Sequence, residues 1–328
     1  MSHQRQQDAA LLGALFSARG QMVSRRDLAL RTCLPINALD QRLAPYIEAG
    51  YPLAFHPQGS ISLQEPPDIW CAEEIMGRCP AREDSDAPTW DPVLLVETSS
   101  TNDVARDHAR KGAHAGFLVA ASRQTSGRGR LGRSWESPPD RGLYVSIVLR
   151  PDLPMREAGK LTILSSLAMV DAVETVAGLR PRIKWPNDLA LNGRKLAGLL
   201  IETELKAGRL AFAVIGIGLN VRHQAEDFSP EVRELATSLY LATGRAYRRA
   251  DLLVALLHAM EKRLAQPFQE AREAWAASSL TLGQQVSLTT GRGRKHGQAL
   301  GLDESGALLV RGDSGEVEAI TAGDMQAY

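Results

Sequence analysis

Gln124–Trp135 reads QTSGRGRLGRSW, and the interpretation of its glycines decides the fold class. Gly127, Gly129 and Gly132 match the G-x-G-x-x-G spacing of a dinucleotide-binding turn, and the strand-like run FLVAA (117–121) precedes them. That spacing signals a doubly wound parallel α/β fold only when the third glycine opens a crossover helix whose N-terminus receives the pyrophosphate. Here Gly132 leads into Ser134, Trp135, Pro138 and Pro139, and no helical period follows. A nicotinamide or flavin fold is therefore set aside. No Walker A sequence is present, since no glycine is followed directly by Lys and then Ser or Thr. What remains is a loop whose glycines let backbone approach a ligand. Its Arg128, Arg130 and Arg133 are planar, permanent cations suited to carboxylate or phosphate. A solvated basic loop has the same composition, so the neighbouring segments must decide.

The 328 residues predict two or three domains, and 44% hydrophobic with 23% charged residues describes a soluble globular protein. Thirty-eight basic residues balance thirty-eight acidic ones, which excludes a global pull toward nucleic acid or anionic membrane. Phosphate chemistry must come from local clusters. Cys33, Cys71 and Cys79 lack metal-ligand pairing and the seven histidines are scattered, which argues against structural zinc. Free thiols suit a reducing compartment. Asp8 interrupts the short apolar run near the N-terminus, so no signal peptide is expected. No run approaches about eighteen apolar residues, so no membrane partner is expected and the predicted location is cytoplasmic.

Working outward, residues 1–66 predict three helices and a hairpin. Leu11, Leu12, Leu15 and Phe16 share a helical face, and Ser24 with Asp27 resembles a capping box. Pro35 fits a first helical position, and Ile36, Leu39, Leu43 and Ile47 keep helical spacing up to Gly50. Pro45 should kink that helix. Leu53–Leu63 alternates about a Pro-Gln-Gly turn. Together these predict a winged helix-turn-helix. Residues 67–91, proline-bearing and carrying the charged run AREDSDA at 81–87, read as a linker around one short helix near 72–76.

Residues 92–277 mix strands, such as VLLVE (93–97) and LYVSIVL (143–149), with helices predicted over 160–177, 249–265 and 267–277. A hairpin over 189–205 turns at Asn192-Gly193, and Arg209–Val221 is a further strand entered through Ala207-Gly208. The fold class is α+β with a central, partly antiparallel mixed sheet. Residues 278–328 hold short strand runs separated by glycines and predict a small SH3-like β-barrel, in which GRGR at 291–294 is a hairpin turn.

Four clusters in 92–277 can carry chemistry. Ser99-Ser100-Thr101-Asn102 precedes a helix, where hydroxyl and amide groups also serve as caps. The arginine loop is the second. The third is KWPNDL (184–189) with RKLAG (194–198), and the fourth is GIGLN (216–220), whose glycines inside an apolar strand suggest close approach by a ligand. Trp135 and Trp185 read as pocket walls. Asp188 is either a direct participant or an ion-pair partner of Lys184 or Lys195. The clusters offer cations and amides but no nucleophile beside a base, so a Ser-His-Asp hydrolase is poorly supported. They suit a reaction whose nucleophile is already charged, such as attack of a carboxylate on the α-phosphate of ATP.

GRGRLGRSW, the SSTN box, KWPNDL, RKLAGLLIE and GIGLN resemble, in this order and spacing, the motifs of the biotin protein ligases. The flanking units resemble the bacterial bifunctional type, biotin ligase and biotin-operon repressor. The resemblance implies synthesis of biotinyl-5'-AMP from biotin and ATP with magnesium, then transfer to a lysine of the biotin carboxyl carrier protein of acetyl-CoA carboxylase. It implies biotin contacts from Ser100, Thr101, Asn102, Gln124, Arg128, Gly129, Arg130 and Lys195. Nucleotide contacts would come from Arg128, Arg130, Lys184, Asn187 and Asn220, and catalysis would rest on Arg130, Lys184, Lys195 and Asp188. Asn187, Asp188 and Asn220 are the magnesium candidates, unassigned among themselves. A homodimer is implied as well, and a second, adenylate-covering loop falls after Asn220, where Phe228 is a candidate stacking group.

The repressor half is less legible. Residues 1–66 carry six arginines and no lysine against five acids, a weak charge for tracking phosphates. Asn37, Gln41 and Arg42 on the presumed recognition helix are the DNA-reading candidates, toward operator DNA. Two alternatives stay open: a ligand-sensing transcription factor without ligase activity, and a lipoate-type ligase. Lys184, Lys195 and the arginine loop argue against the first, since sensing biotin alone needs no triphosphate site.

Overall fold

The computed structural model describes residues 3–79, 88–291 and 293–326. The N-terminal unit comprises α1 (His3–Ser17), β1 (Met22–Ser24), α2 (Arg25–Thr32), α3 (Leu39–Glu48), β2 (Leu53–Phe55) and β3 (Ser60–Leu63), its strands ordered β1-β3-β2. Leu11, Leu12, Leu28, Leu39, Leu43 and Ile61 form a core of their own. Ser24 caps α2, its hydroxyl accepting the Asp27 N–H at 3.0 Å. The kink expected at Pro45 does not break α3, which runs through it. Pro45 lies on the exposed face, where the carbonyl it leaves unbonded can meet water.

The next segment reads in sequence as a linker; its residues 80–87 lie outside the described ones. The rest forms α4 (Ala72–Arg78), which crosses α1 so closely that a Cβ on Gly77 would fall 1.9 Å from the Ala9 carbonyl oxygen. Glu74 of α4 is fully buried. It accepts hydrogen bonds from Tyr51 Oη (2.6 Å), Arg78 Nη1 (2.7 Å) and Arg248 Nη2 (3.0 Å), the last at the start of a helix far along the chain. Beside it, Asp68 binds the backbone N–H and the guanidinium of Arg249 at 2.8 and 2.7 Å, and Arg222 at 2.9 Å. The segment is a joint between the N-terminal unit and the central domain.

That domain runs through β4 (Asp91–Thr98), α5 (Thr101–Arg110), β5 (Phe117–Gln124), β6 (Gly142–Leu149), α6 (Gly159–Ala177), β7 (Arg182–Lys184), β8 (Asp188–Leu191), β9 (Arg194–Lys206) and β10 (Arg209–Asn220). Four helices follow, α7 (Pro230–Arg233), α8 (Leu239–Thr243), α9 (Arg249–Ala265) and α10 (Phe268–Ser278). The seven strands are ordered β4-β5-β6-β10-β9-β8-β7. Only β4 and β5 pair in parallel, joined by the crossover helix α5; the remaining pairs are antiparallel. The apolar helices α6 and α9 lie in the core on one face of the sheet, while Ala105 and Ala109 of α5 pack on Val119, Val148 and Phe212. Cover on both faces explains why every residue of β6 is buried and its sequence does not alternate.

The last described residues form β11 (Gln285–Thr290), β12 (Gly293–Leu302), β13 (Leu308–Arg311), β14 (Val317–Ile320) and β15 (Asp324–Gln326), an antiparallel sheet ordered β14-β13-β12-β11-β15. Thr290 and Gly293 pair across the turn expected at 291–294, of which Arg292 lies outside the described residues. Leu288, Leu308 and Ile320 join the central core, and β15 is thereby delivered beside the arginine loop. Among the described residues no helix is long and apolar enough to cross a membrane.

Candidate active site

The four clusters, which span more than a hundred residues of sequence, converge on one cavity of about 200 Å³ at the end of β5, β7, β8, β9 and β10. Its floor is the hydroxyl-amide box. Ser100 holds the N-cap position of α5, but its side chain makes no capping bond. Gln124, at the end of β5, replaces it: the amide oxygen accepts from the backbone N–H of Thr101 at 2.9 Å and from its hydroxyl at 3.0 Å. The Gln124 amide nitrogen donates to Ser137 Oγ at 2.9 Å. Ser146 on β6, not visible as a site residue in the sequence, places its Oγ 2.8 Å from Thr101 Oγ1 and 2.5 Å from Asn102 Oδ1. Ser100, Thr101, Asn102 and Ser146 are all buried, and a buried set of donors and acceptors is costly unless each group finds a partner.

The glycines of GIGLN line the cavity, and they also have a use that the sequence does not show. A Cβ on Gly216 would lie 2.1 Å from Asn102 Oδ1, and one on Gly218 would lie 2.4 Å from the Trp135 ring. The strand is stripped to make room for the protein's own side chains, which in turn shape the cavity.

The arginine loop folds over this floor. It closes on itself, with Gly129 N–H bonding to Arg133 O at 2.7 Å and Trp135 N–H to Gly127 O at 2.9 Å, and Leu131 at its tip takes a positive φ of 56°. Arg128 turns inward to Glu202 (2.7 Å) and Asp103 (2.9 Å). Arg130 bonds the neutral acceptors Asn187 Oδ1 (3.2 Å) and Gly323 O (3.1 Å), and burial lowers its pKa from the ordinary arginine value. Arg133 contacts Asp324. The C-terminal sheet therefore reaches the site through Gly323, Asp324 and Met325, three residues that carry no motif.

Lys184 ends β7 and Asp188 starts β8, paired across the turn that holds Asn187. Lys195 Nζ lies 2.8 Å from Asp188 Oδ1 and 5.4 Å from the centre of the Trp135 ring. These cations share the cavity with Arg128 and Arg130. Asn220 does not join them. Its amide donates to Thr237 O at 3.0 Å, and it lines a second, more apolar cavity of about 260 Å³ with Phe228, Val232, Leu235 and Ala236. Trp135 and Lys195 line both cavities. Phe228 is buried and stacks on His223 at 5.0 Å, and burial pushes the His223 pKa down to about 4. Among the described residues there is no cluster of three His, Cys, Asp or Glu that could hold a metal ion.

Of the DNA-reading candidates, Asn37 and Gln41 are exposed. Arg42 is turned back onto α1, bonding Asp8 Oδ1 and Gln4 O at 2.7 Å each.

Comparison with known proteins follows the same lines. Residues 95–220 match the Biotin/lipoate A/B protein ligase family, and residues 281–327 match the Biotin protein ligase C terminal domain. The chain is 37% identical over 232 residues to the Bifunctional ligase/repressor BirA of Bacillus subtilis, covering 70% of this chain and 71% of that protein. It is 34% identical over 229 residues to a Biotin--[acetyl-CoA-carboxylase] ligase of Paracoccus denitrificans, covering 68% and 95%. Escherichia coli BirA matches at 28% identity over 90% of both chains. The structure of an Aquifex aeolicus biotin protein ligase in complex with biotin and ATP superposes with a TM-score of 0.60 at 30% identity, covering 72% of this chain and 97% of that one.

Proposed function

The chain belongs to the biotin protein ligase family, and from that premise we propose how its cavity joins biotin, ATP and a carrier lysine. The observation that carries the reading is the meeting of a buried hydroxyl-amide floor with five cations, Arg128, Arg130, Arg133, Lys184 and Lys195, in one cavity that holds no nucleophile-base pair. Ser100, Thr101, Asn102 and Gln124 suit a ureido ring, which needs donors and acceptors together. Arg128 and Gly129 border the path to the carboxylate. Arg130, Lys184 and Lys195 face the phosphates, which suits an electrostatic task more than a proton shuttle. The apolar second cavity, walled by Trp135 and Phe228 and lined by Asn220, suits the nucleobase, while Asn187 borders the phosphates in the first.

In the first step a biotin carboxylate oxygen attacks the α-phosphorus of ATP and pyrophosphate departs. In the second the carrier lysine amine attacks the acyl carbon, an amide forms, and AMP and a proton leave. The magnesium that accompanies a triphosphate is bound largely by phosphate and water. Asp188, a single carboxylate beside Asn187, fits such a nucleotide-borne ion, which neutralises phosphate charge. Asn220 faces the other cavity and does not fit that role.

The direct test is pyrophosphate release that depends on both biotin and ATP, followed by labelling of the biotin carboxyl carrier domain of acetyl-CoA carboxylase. Lipoate in place of biotin should give no turnover. Folded protein that binds biotin yet releases no pyrophosphate would replace the enzyme with a sensor.

The N-terminal unit supports a winged helix-turn-helix reading, with β2 and β3 as the wing, and the C-terminal sheet an SH3-like one. Exposed Gln41 on α3 and exposed Asn37 on the 3-10 turn before it make this the face to test against biotin-operon DNA by salt-dependent gel retardation; binding unaffected by Gln41→Ala would remove α3 as the reading helix. Sedimentation with and without ligand tests the homodimer.

A further inference from the structure

We propose that Glu202 is a positioning residue that couples the hydroxyl-amide floor to the arginine loop. The inference rests on the biotin reading of the floor. Glu202 lies on β9 opposite Val214, two residues along from the Leu200–Gly216 pair, and the missing side chain of Gly216 leaves the room that Asn102 fills. Its Oε2 accepts from Asn102 Nδ2 at 2.8 Å and from Arg128 Nη2 at 2.7 Å, and its Oε1 accepts from Arg106 Nη1 at 3.1 Å. Asp103 closes the ring, 2.9 Å from Arg128 and 2.5 Å from Arg106. Two carboxylates and two guanidiniums balance.

The chemistry of the acceptor fixes two things at once. An ionised carboxylate only accepts, so Asn102 must turn its NH₂ toward Glu202 and keep Oδ1 on Ser146. That sets which end of the amide meets a ureido ring. The same oxygen pins Arg128, the first arginine of the loop, so loop and floor share one anchor. It also divides the labour within the loop. Arg128 is already ion-paired with carboxylates, whereas Arg130 hydrogen-bonds neutral acceptors, with Asp324 and Asp188 acting on it only through space, and is the loop cation left to answer an incoming anion.

Glu202→Gln tests this, since the amide keeps the size but removes the charge and makes one end a donor. Two readouts are needed. The first is steady-state kinetics of pyrophosphate release. The biotin KM should rise by about tenfold, the loss of one charge-assisted bond, with kcat and the ATP KM each within about threefold of wild type. The second needs no substrate: tryptic cleavage after Arg130 or Arg133 in the unliganded protein. Glu202→Gln and Arg128→Gln should each accelerate it, and the double variant should add little to either, as two residues acting through one contact do. Additive acceleration, unchanged cleavage, or a loss spread over kcat and both KM values with a lowered Tm would overturn the proposal. A wild-type protein without biotin-dependent activity would sink the biotin reading while the tryptic result still judged the anchor.

Discussion

Two regions of this molecule use the same pair, arginine and carboxylate, to opposite ends. At the joint between the N-terminal unit and the central domain, the side chains of Glu74 and Arg248 are 0% and 7% exposed and those of Asp68 and Arg249 are 5% and 3% exposed. In the arginine loop, Arg133 is 65% exposed where it meets Asp324. Where water is excluded, removing one partner strands the other as a buried charge, so the pair behaves as a fixed fastener. Where water reaches both partners, either can be resolvated at small cost, so the pair behaves as a catch that a ligand can open.

The sharpest way to break the comparison is Glu74→Ala, which takes from Arg248 its two bonds to Glu74 and leaves it Asp251 and the Pro67 carbonyl, strips Tyr51 and Arg78 of the same acceptor, and opens a hole under α4. It should cost about 3–5 kcal/mol in denaturant unfolding, and a loss below about 1 kcal/mol would place the joint in the same class as the loop. His223 offers the next largest effect, since it is sealed beneath Phe228 and its Nδ1 finds no hydrogen-bond partner. Its folded pKa of about 4 lies below the ordinary 6.5. Between those values the unfolded chain binds the extra proton, so stability is full above pH 6.5 and falls as the pH drops toward 4. The loss should approach about 3 kcal/mol, and His223→Phe should flatten that part of the stability profile. A variant with the same slope as wild type would show that this ring titrates normally.

Within the loop, Arg130→Gly removes a charge-assisted clamp worth about 1.5–3 kcal/mol. Activated biotin should leak about 10–100-fold faster, measured as release of the adenylate from a preformed complex. Release at the wild-type rate would mean that the loop cover does not depend on this cation. The smallest effect belongs to Asp324→Asn. An exposed pair contributes about 1 kcal/mol or less, so Tm should barely move while unliganded tryptic cleavage after Arg133 rises a few-fold. A large drop in Tm would make this contact a fastener after all.

The difference between the two regions also explains what the sequence could disclose. Loop and pocket chemistry is local: the three glycines, the SSTN box and KWPNDL each sit in a few consecutive residues, and their order suffices to place the cavity. The joint is not local. Glu74 looks like a solvated acid in a proline-bearing stretch because the guanidinium that buries it lies 174 residues away. Gly323 and Asp324 are invisible for the same reason, since only the closure of β15 onto β11 brings them to Arg130 and Arg133. The glycines of GIGLN were legible as a close approach but not as an approach by whom. Asn102 comes from the start of α5 and Trp135 from the arginine loop, and nothing in five residues of β10 names them. Arg42 fails similarly: its place on α3 is readable, and its pairing with Asp8 of α1 is not.

Trp135 carries a consequence for anyone who would re-engineer the pocket. Its indole is a party wall between the polar cavity and the apolar one, and Lys195 leans on it from both rooms. With the acyl group and the nucleobase placed as proposed, their specificities are not separate dials. A substitution that trims this ring to admit a bulkier acid also knocks the two chambers together, while any side chain added at Gly218 underneath collides with the ring. Bioorthogonal acids would be better sought by altering the floor than by moving this partition.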